Sequence, residues 1–536
     1  MNALLVLVAV IIFTCVLLNN ASFRIGMPVL LAFILLGILF GNNGLVPIRM
    51  DVSDRHMVGD ICTVALIFIM FYGGFGTSWK SAKPIALEAG LLASVGVLAT
   101  AALVGVFCHF LLKWDWLEAL LLGSVVSSTD AASVFSIFRS RKLGLKNNTA
   151  PLLEMESGSN DPCSYMLTVI MLSLMQGGGS VWHTIWLFIA QLGFGALFGL
   201  LIARASVEAM KRINFATAGF DSLFLMAVAI ISYALPALVN GNGYLSAYIV
   251  GIVLGNNKFC NKKDMVNFFD GITGLMQVLI FFMLGLLARP ANLGSCALPA
   301  IAVFLILTLL ARPLPVFALL TPFRKYGFKQ QTLISFCGLR GAASIVFAIT
   351  ATMGNDALNN DIFNIVFCIV LISIALQGSL LPKVAEKLNM LDPNADIMKT
   401  FSDFSEEVDL QFSEVKIGED NPWLNSRVMD LNLPKDLLFC LLVREDQSRI
   451  VPNGRTVLKM GDSVIICSKK FRKSSQQIMV SQRVVSEHSK WMGHKVSELP
   501  HTRHQLILIQ RGDKTVIPHG DTVLQIGDVL YINQSI

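Results

Sequence analysis

The chain has 536 residues, 54% hydrophobic and only 15% charged, with a formal net charge of +6. A soluble globular protein has about a quarter of its residues charged, so an ordinary water-soluble enzyme is excluded for most of this length. The apolar residues fill most of 1–390, which predicts an α-helical polytopic membrane protein.

The opening "MNALLVLVAVIIFTCVLL" has no Lys or Arg before Arg24. It lacks the basic region of a cleaved signal and reads as a retained first span. With 2–18, apolar segments fall at about 27–40, 58–76, 85–112, 117–138, 150–175, 182–204, 220–239, 244–256, 265–288, 296–320, 330–352 and 361–381, thirteen transmembrane helices in all. Alternate loops, beginning with the one that holds Arg24, carry 18 Lys and Arg; the other set carries four, Arg49, Arg55, Lys113 and Arg289. Basic residues stay on the cytoplasmic side, so the N-terminus is expected outside and the C-terminus inside, in a cell (plasma) membrane protein. The ten cysteines form no C-x-x-C pair and read as reduced, buried thiols.

From about 390 the composition turns soluble. "RIVPNGRTVLKMGDSVII" (449–466) repeats as "TVIPHGDTVLQIGDVLYI" (515–532) at a spacing of 66, with Trp423 and Trp491 ahead of the two copies. The expected domains are 1–389 in the membrane, a linker 390–410, and two small α/β modules, 411–475 and 476–536. The tail holds 18 Lys and Arg against 19 Asp and Glu. A nucleic-acid partner would want a positive excess, so none is expected. The tail also lacks G-x-G-x-x-G after a strand and a Walker A loop.

Orientation converts position into depth. Asp161 lies about eleven residues into the sixth segment, roughly 16 Å at 1.5 Å per residue. Asp130 comes at roughly 20 Å and Arg340 at about 15 Å, each near the middle of a ~30 Å core. An unpaired charge there costs at least ~2.5–3.5 kcal/mol, so three separate helices point to one shared polar site. "SSTDAAS" (127–133) and "CGLRGAAS" (337–344) place backbone-bonding and glycine residues where a span would hold Leu. Two broken helices of opposite direction, with carbonyls opened toward a hard monovalent cation, are the result. In "ESGSNDP" (156–162), Ser157 and Asp161 share one face and are expected to ligate the cation opposite Asp130. Glu156 and Asn160 share the next face, with Glu156 expected to neutralise Arg340. Pro162 frees a carbonyl near Gly158. Glu154, toward the cytoplasmic mouth, is either a cation attractor or an ordinary helix-start acid.

Together, the thirteen segments, "STD" at 128–130, "ESGSNDP" at 156–162 and "GLRGA" at 338–342 resemble the NhaP-type monovalent cation:proton antiporters over residues 1–385. The resemblance implies NhaA-like inverted repeats with crossed broken helices, a homodimer, and elevator-like alternating access. It implies that Asp161 carries proton and cation in turn, that Thr129, Asp130 and Ser157 help to coordinate, and that Glu156, Asn160 and Arg340 stabilise the site. Asn160 before Asp161 is similar to the electroneutral one-for-one exchangers. The tail resembles tandem TrkA-C modules of potassium transport systems, without the usual Rossmann module. The missing Rossmann module favours a nucleotide or cyclic dinucleotide as regulatory ligand over a nicotinamide cofactor, and the pairing with a potassium-type module favours K+ over Na+.

The mechanism expected is competition of proton and alkali cation for Asp161, since burial disfavours a bare carboxylate. Only the neutralised site would cross between the two openings. No cofactor is required, and the partners are membrane lipid, a second copy and a small regulatory ligand. A tail-gated cation channel is the first rival, but no TVGYG-like filter is present. An intramembrane aspartyl protease is the second, and Arg340 at the depth of the two acids does not suit its dyad.

Overall fold

The computed structural model describes residues 29–41, 52–141, 143–177, 180–213, 219–257, 262–288, 290–353 and 358–392, most of 410–534, and a few isolated positions. The chain divides into two compact units, Met1–Ser405 and Glu406–Ile536. Most of the expected first span, 2–18, lies outside the described residues.

The first unit is helical: α1 (Val29–Phe40), α2 (Val52–Gly76), α3 (Trp79–Leu112), α4 (Trp116–Ser127), α5 (Ala131–Ser140), α6 (Thr149–Met175), α7 (Val181–Arg212), α8 (Phe220–Ala237), α9 (Gly243–Gly255), α10 (Lys262–Leu287), α11 (Pro290–Ile306), α12 (Pro313–Leu320), α13 (Phe328–Phe336), α14 (Ala342–Thr352) and α15 (Ile362–Lys387). Each segment expected from 27–40 onward coincides with one of these helices or with a broken pair. Among the described residues, eight stretches are long and apolar enough to cross a membrane, and α1, α9 and α14 are shorter apolar helices. The 27-residue α6 has the length of a span, but it carries Glu154, Glu156, Asn160 and Asp161 along its first half.

Two breaks position the site. Helix α4 stops at Ser127 and α5 starts at Ala131; α13 stops at Phe336 and α14 starts at Ala342. The gaps cross, and the Asp130 N–H donates to the Leu339 carbonyl at 2.8 Å. Among the described residues three π turns, Leu92–Gly96 in α3, Leu307–Ala311 after α11 and Ser373–Gly378 in α15, interrupt the regular α-helical winding. Such turns concentrate at functional positions, and two of them lead to the buried arginines described below. A short antiparallel pair, β1 (Gly144–Leu145) with β2 (Leu391–Asp392), ties the α5–α6 loop to the chain leaving α15.

The second unit holds two four-stranded antiparallel sheets. β3 (Leu410–Lys416), β4 (Leu437–Val443), β5 (Arg449–Ile450) and β6 (Ser463–Lys469) lie in the order β3-β6-β4-β5. β7 (Met479–Val484), β8 (His504–Arg511), β9 (Lys514–Val516) and β10 (Val529–Gln534) lie in the matching order β7-β10-β8-β9. The sequence repeat is thus a structural repeat. Its Gly-Asp dipeptides turn the chain into β6 and β10, with Gly461 and Gly527 at φ +82° and +87°, a region that favours glycine. The aspartates hold these turns: Asp462 accepts from Lys459 N at 2.7 Å and from Arg444 at 2.6 Å, and Asp528 from Gln525 N at 2.9 Å and from Arg511 at 2.8 Å. Among the described residues the helical part of each module is one 3-10 turn, Val428–Asp430 and Val496–Glu498.

Candidate cation site

The crossing of the two breaks leaves helix ends inside an apolar unit, where water cannot meet their free N–H and C=O groups. Asp130 meets the positive ends. Its carboxylate accepts from Ser133 N at 3.0 Å and Ser133 Oγ at 2.5 Å, and the N–H groups of Ala132 and Ala342 face it. One acid therefore caps the N-termini of both α5 and α14, where anions are favoured. The approach is close: a Cβ on Gly341 would run into that carboxylate.

Arg340 meets a negative end. Its Nη1 donates to the carbonyls of Ser127 at 3.0 Å and Ser128 at 2.5 Å, where α4 stops. Its own N–H donates to Ser373 Oγ at 3.1 Å, in a π turn of α15. The α13 end is met by Gln377, whose Nε2 donates to the Phe336 carbonyl at 2.6 Å.

Helix α6 lies against this crossing. Asp161, 9% exposed, accepts a hydrogen bond from Ser128 Oγ and interacts electrostatically with Asp130. Asn160 Nδ2 donates to Thr129 Oγ1 at 2.6 Å. Ser157 Oγ donates to the Thr129 carbonyl at 2.7 Å and accepts from Ala131 N at 2.9 Å. The Ser157 hydroxyl is therefore engaged on both sides with the opened backbone of the α4–α5 break. Asp130, Thr129, Ser157, Asn160, Asp161 and Arg340 thus come together around one crossing.

Glu156 departs from its expected partner. It pairs with Arg312, Nη2 lying 2.5 Å from Oε1 and 2.7 Å from Oε2, both side chains buried. Arg340 interacts electrostatically with both members of that pair. The reason is geometric: the Nη1 of Arg340 is committed to the end of α4, while Arg312 emerges just after the π turn of Leu307–Ala311. Sequence reasoning missed Arg312, Ser128 and Ser133. The loop tally held the signal for the first, since Arg312 and Arg340 are the two basic residues that the predicted loops leave inside spans. Ser128 and Ser133 lie inside a motif already singled out, but their roles depend on which way the unwound chain turns.

Buried carboxylates set between two crossed, broken helices of an apolar helical unit define a secondary transporter rather than an enzyme. The chain matches the family described as sodium/hydrogen exchanger, transmembrane, over residues 8–387, and the TrkA-C domain twice, over 412–470 and 480–533. It is 32% identical over 473 residues to the K(+)/H(+) antiporter NhaP of Alkalimonas amylolytica, covering 87% of this chain and 81% of that protein. It is 31% identical over 474 residues to the K(+)/H(+) antiporter NhaP2 of Shewanella oneidensis, with the same coverage. The solved structure of the sodium proton antiporter MjNhaP1 from Methanocaldococcus jannaschii at pH 8 shares the fold, with a TM-score of 0.61 at 22% identity over 70% of this chain and 99% of that one. The chain belongs to the sodium/hydrogen exchanger family and is a multi-pass monovalent cation/proton antiporter; the ions it moves are substrates, and it needs no cofactor.

Proposed function

We propose that this antiporter exchanges cytoplasmic K+, in preference to Na+, for protons by alternating access, with Asp161 as the carboxylate that both ions share. The observation that carries this reading is the Asp161 carboxylate, buried against Ser128 in the α4–α5 break and beside Asp130. A proton or a cation neutralises Asp161; the bare carboxylate is disfavoured in that setting, so only the occupied site crosses. Asp130, Thr129 and Ser157 act with it, Ser157 by holding the opened backbone. Glu156, Asn160 and Arg340 keep the crossing in shape, together with Arg312. The potassium preference draws on the names of the two relatives and on the TrkA-C modules.

In the same reading 1–389 is the transport domain, 390–410 the linker, and 411–475 and 476–536 are regulatory modules that take a nucleotide or cyclic dinucleotide. The protein works as a homodimer in the cell membrane, N-terminus outside and tail in the cytoplasm, as the loop charges favour. The β1–β2 pair supports regulation by the tail, because it fastens the chain leaving α15 to the loop between two site helices. The test is exchange in proteoliposomes with K+, Na+ and Li+ across pH. Saturable counter-transport of one cation per proton, greatest with K+, is expected; large conductive current without proton movement would contradict it.

A further inference from the structure

On α6, Pro151, Glu154, Met155 and Gly158 are half-buried, while Leu152, Leu153, Glu156 and Ser157 between them are buried. At i, i+3, i+4 and i+7 these positions form one line along the helix, and it leads to Asp161. Tyr248 of α9 lies across this line. A Cβ on Gly158 would stand 2.7 Å from Tyr248 Oη and closer to the ring, so the phenol rests on bare α6 backbone.

Tyr248 is 3% exposed, and its Oη has no hydrogen-bond partner among the described residues. The hydroxyls of Thr77 and Ser159 lie beside it, and it faces the charges of Glu154 and Asp161. Thr77 gives its own proton to the Gly73 carbonyl at 2.8 Å. A buried hydroxyl left without a partner is costly, and its oxygen lone pairs are open to a transient ligand. Neutral hydroxyl oxygens within the field of the Glu154 and Asp161 carboxylates suit a hard monovalent cation that must shed water before it reaches Asp161.

We propose that the Tyr248 hydroxyl, with Ser159 and Glu154, forms an approach site for the transported cation between the cytoplasmic mouth and Asp161. The proposal rests on Asp161 as the exchange site and adds the step before it. Tyr248 is a cation ligand in this step and takes no part in proton transfer.

The experiment uses the full chain in proteoliposomes, with K+ and Na+ as probes. Tyr248→Phe keeps the ring over Gly158 and removes only the oxygen. The expected result is an apparent KM for the cation raised roughly threefold to tenfold, the worth of about one hydroxyl contact, with the maximal rate within about twofold. Ser159→Ala should move KM in the same direction. An unchanged KM in Tyr248→Phe overturns the approach site. So does an effect confined to maximal rate or thermal stability, which is what a packing role would give. Asp161→Asn, run alongside, separates the claims. If that variant is inactive while Tyr248→Phe keeps its KM, the approach site alone fails; if it still exchanges, the carrier assignment fails and the approach site with it.

Discussion

Glu156 on α6 and Arg312 at the head of α12 form a buried ion pair, 2.5 Å from Nη2 to Oε1, with side chains 1% and 3% exposed. The pair joins the site helix to a helix outside the crossing, and so fixes where Asn160 and Asp161, four and five residues further on, meet the α4–α5 break.

Removing one partner leaves an uncompensated buried charge, which costs about 3–5 kcal/mol, whereas replacing both with apolar side chains is often close to neutral. Arg312→Leu is therefore expected to lower the thermal unfolding midpoint of the detergent-purified protein sharply. Glu156→Leu with Arg312→Leu should recover most of that loss. Additive destabilisation in the double variant would show that the two residues act separately.

Gly341 tests the crossing itself. A methyl there would push the Asp130 carboxylate off the N-termini it caps, and a shift of about 1 Å at a site can cost on the order of 100-fold in rate. Gly341→Ala is expected to abolish most exchange in proteoliposomes. Gly271→Ala and Gly274→Ala, where nothing lies within 4 Å of an added Cβ, should leave it unchanged.

The tail carries its own pH dependence. The hydrogen bond from Arg511 holds the Asp528 carboxyl below the usual carboxylate range, with Gln525 N–H and the Arg511 charge adding to it against the cost of burial. A depressed folded pKa contributes stability that is complete above the unfolded value of about 3.9 and is lost as pH falls through the folded one. Hydrogen exchange of β8 and β10 in the full chain should stay slow from neutral pH down to about 5, after correction for intrinsic rates, and quicken below about 4. Asp528→Asn should quicken it already at neutral pH; equal protection in that variant would remove the ion pair from the module's stability.

Deleting residues 400–536 keeps α1–α15 and the β1–β2 pair. Exchange should survive, with a changed dependence on pH or cation concentration. Complete loss of exchange in a well-folded truncated protein would make the tail part of the transport machinery.

Much of this was legible in residue spacing. Asp130, Asp161 and Arg340 come together around one crossing, as their places about midway along their own predicted spans lead one to expect. The 66-residue repeat carried over to two sheets of one strand order because Gly461-Asp462 and Gly527-Asp528 make the same turn. Partnerships across the crossing were less legible. Glu156 has two buried arginines near it, and no local pattern marks Arg312, just after the π turn at Leu307–Ala311, as the one it pairs with. The unpartnered hydroxyl of Tyr248 depends on how closely α9 rests on Gly158, a distance that neither helix encodes alone.

The central claim is that Asp161 holds the proton and the cation in turn. Its most direct test is cation-dependent proton movement by purified Asp161→Asn in proteoliposomes, beside wild type at equal incorporation. Asn keeps an acceptor for Ser128 Oγ and loses the titratable charge. The account predicts no proton movement on addition of K+ or Na+, with thermal stability close to wild type. Exchange at the wild-type rate in that variant would contradict it.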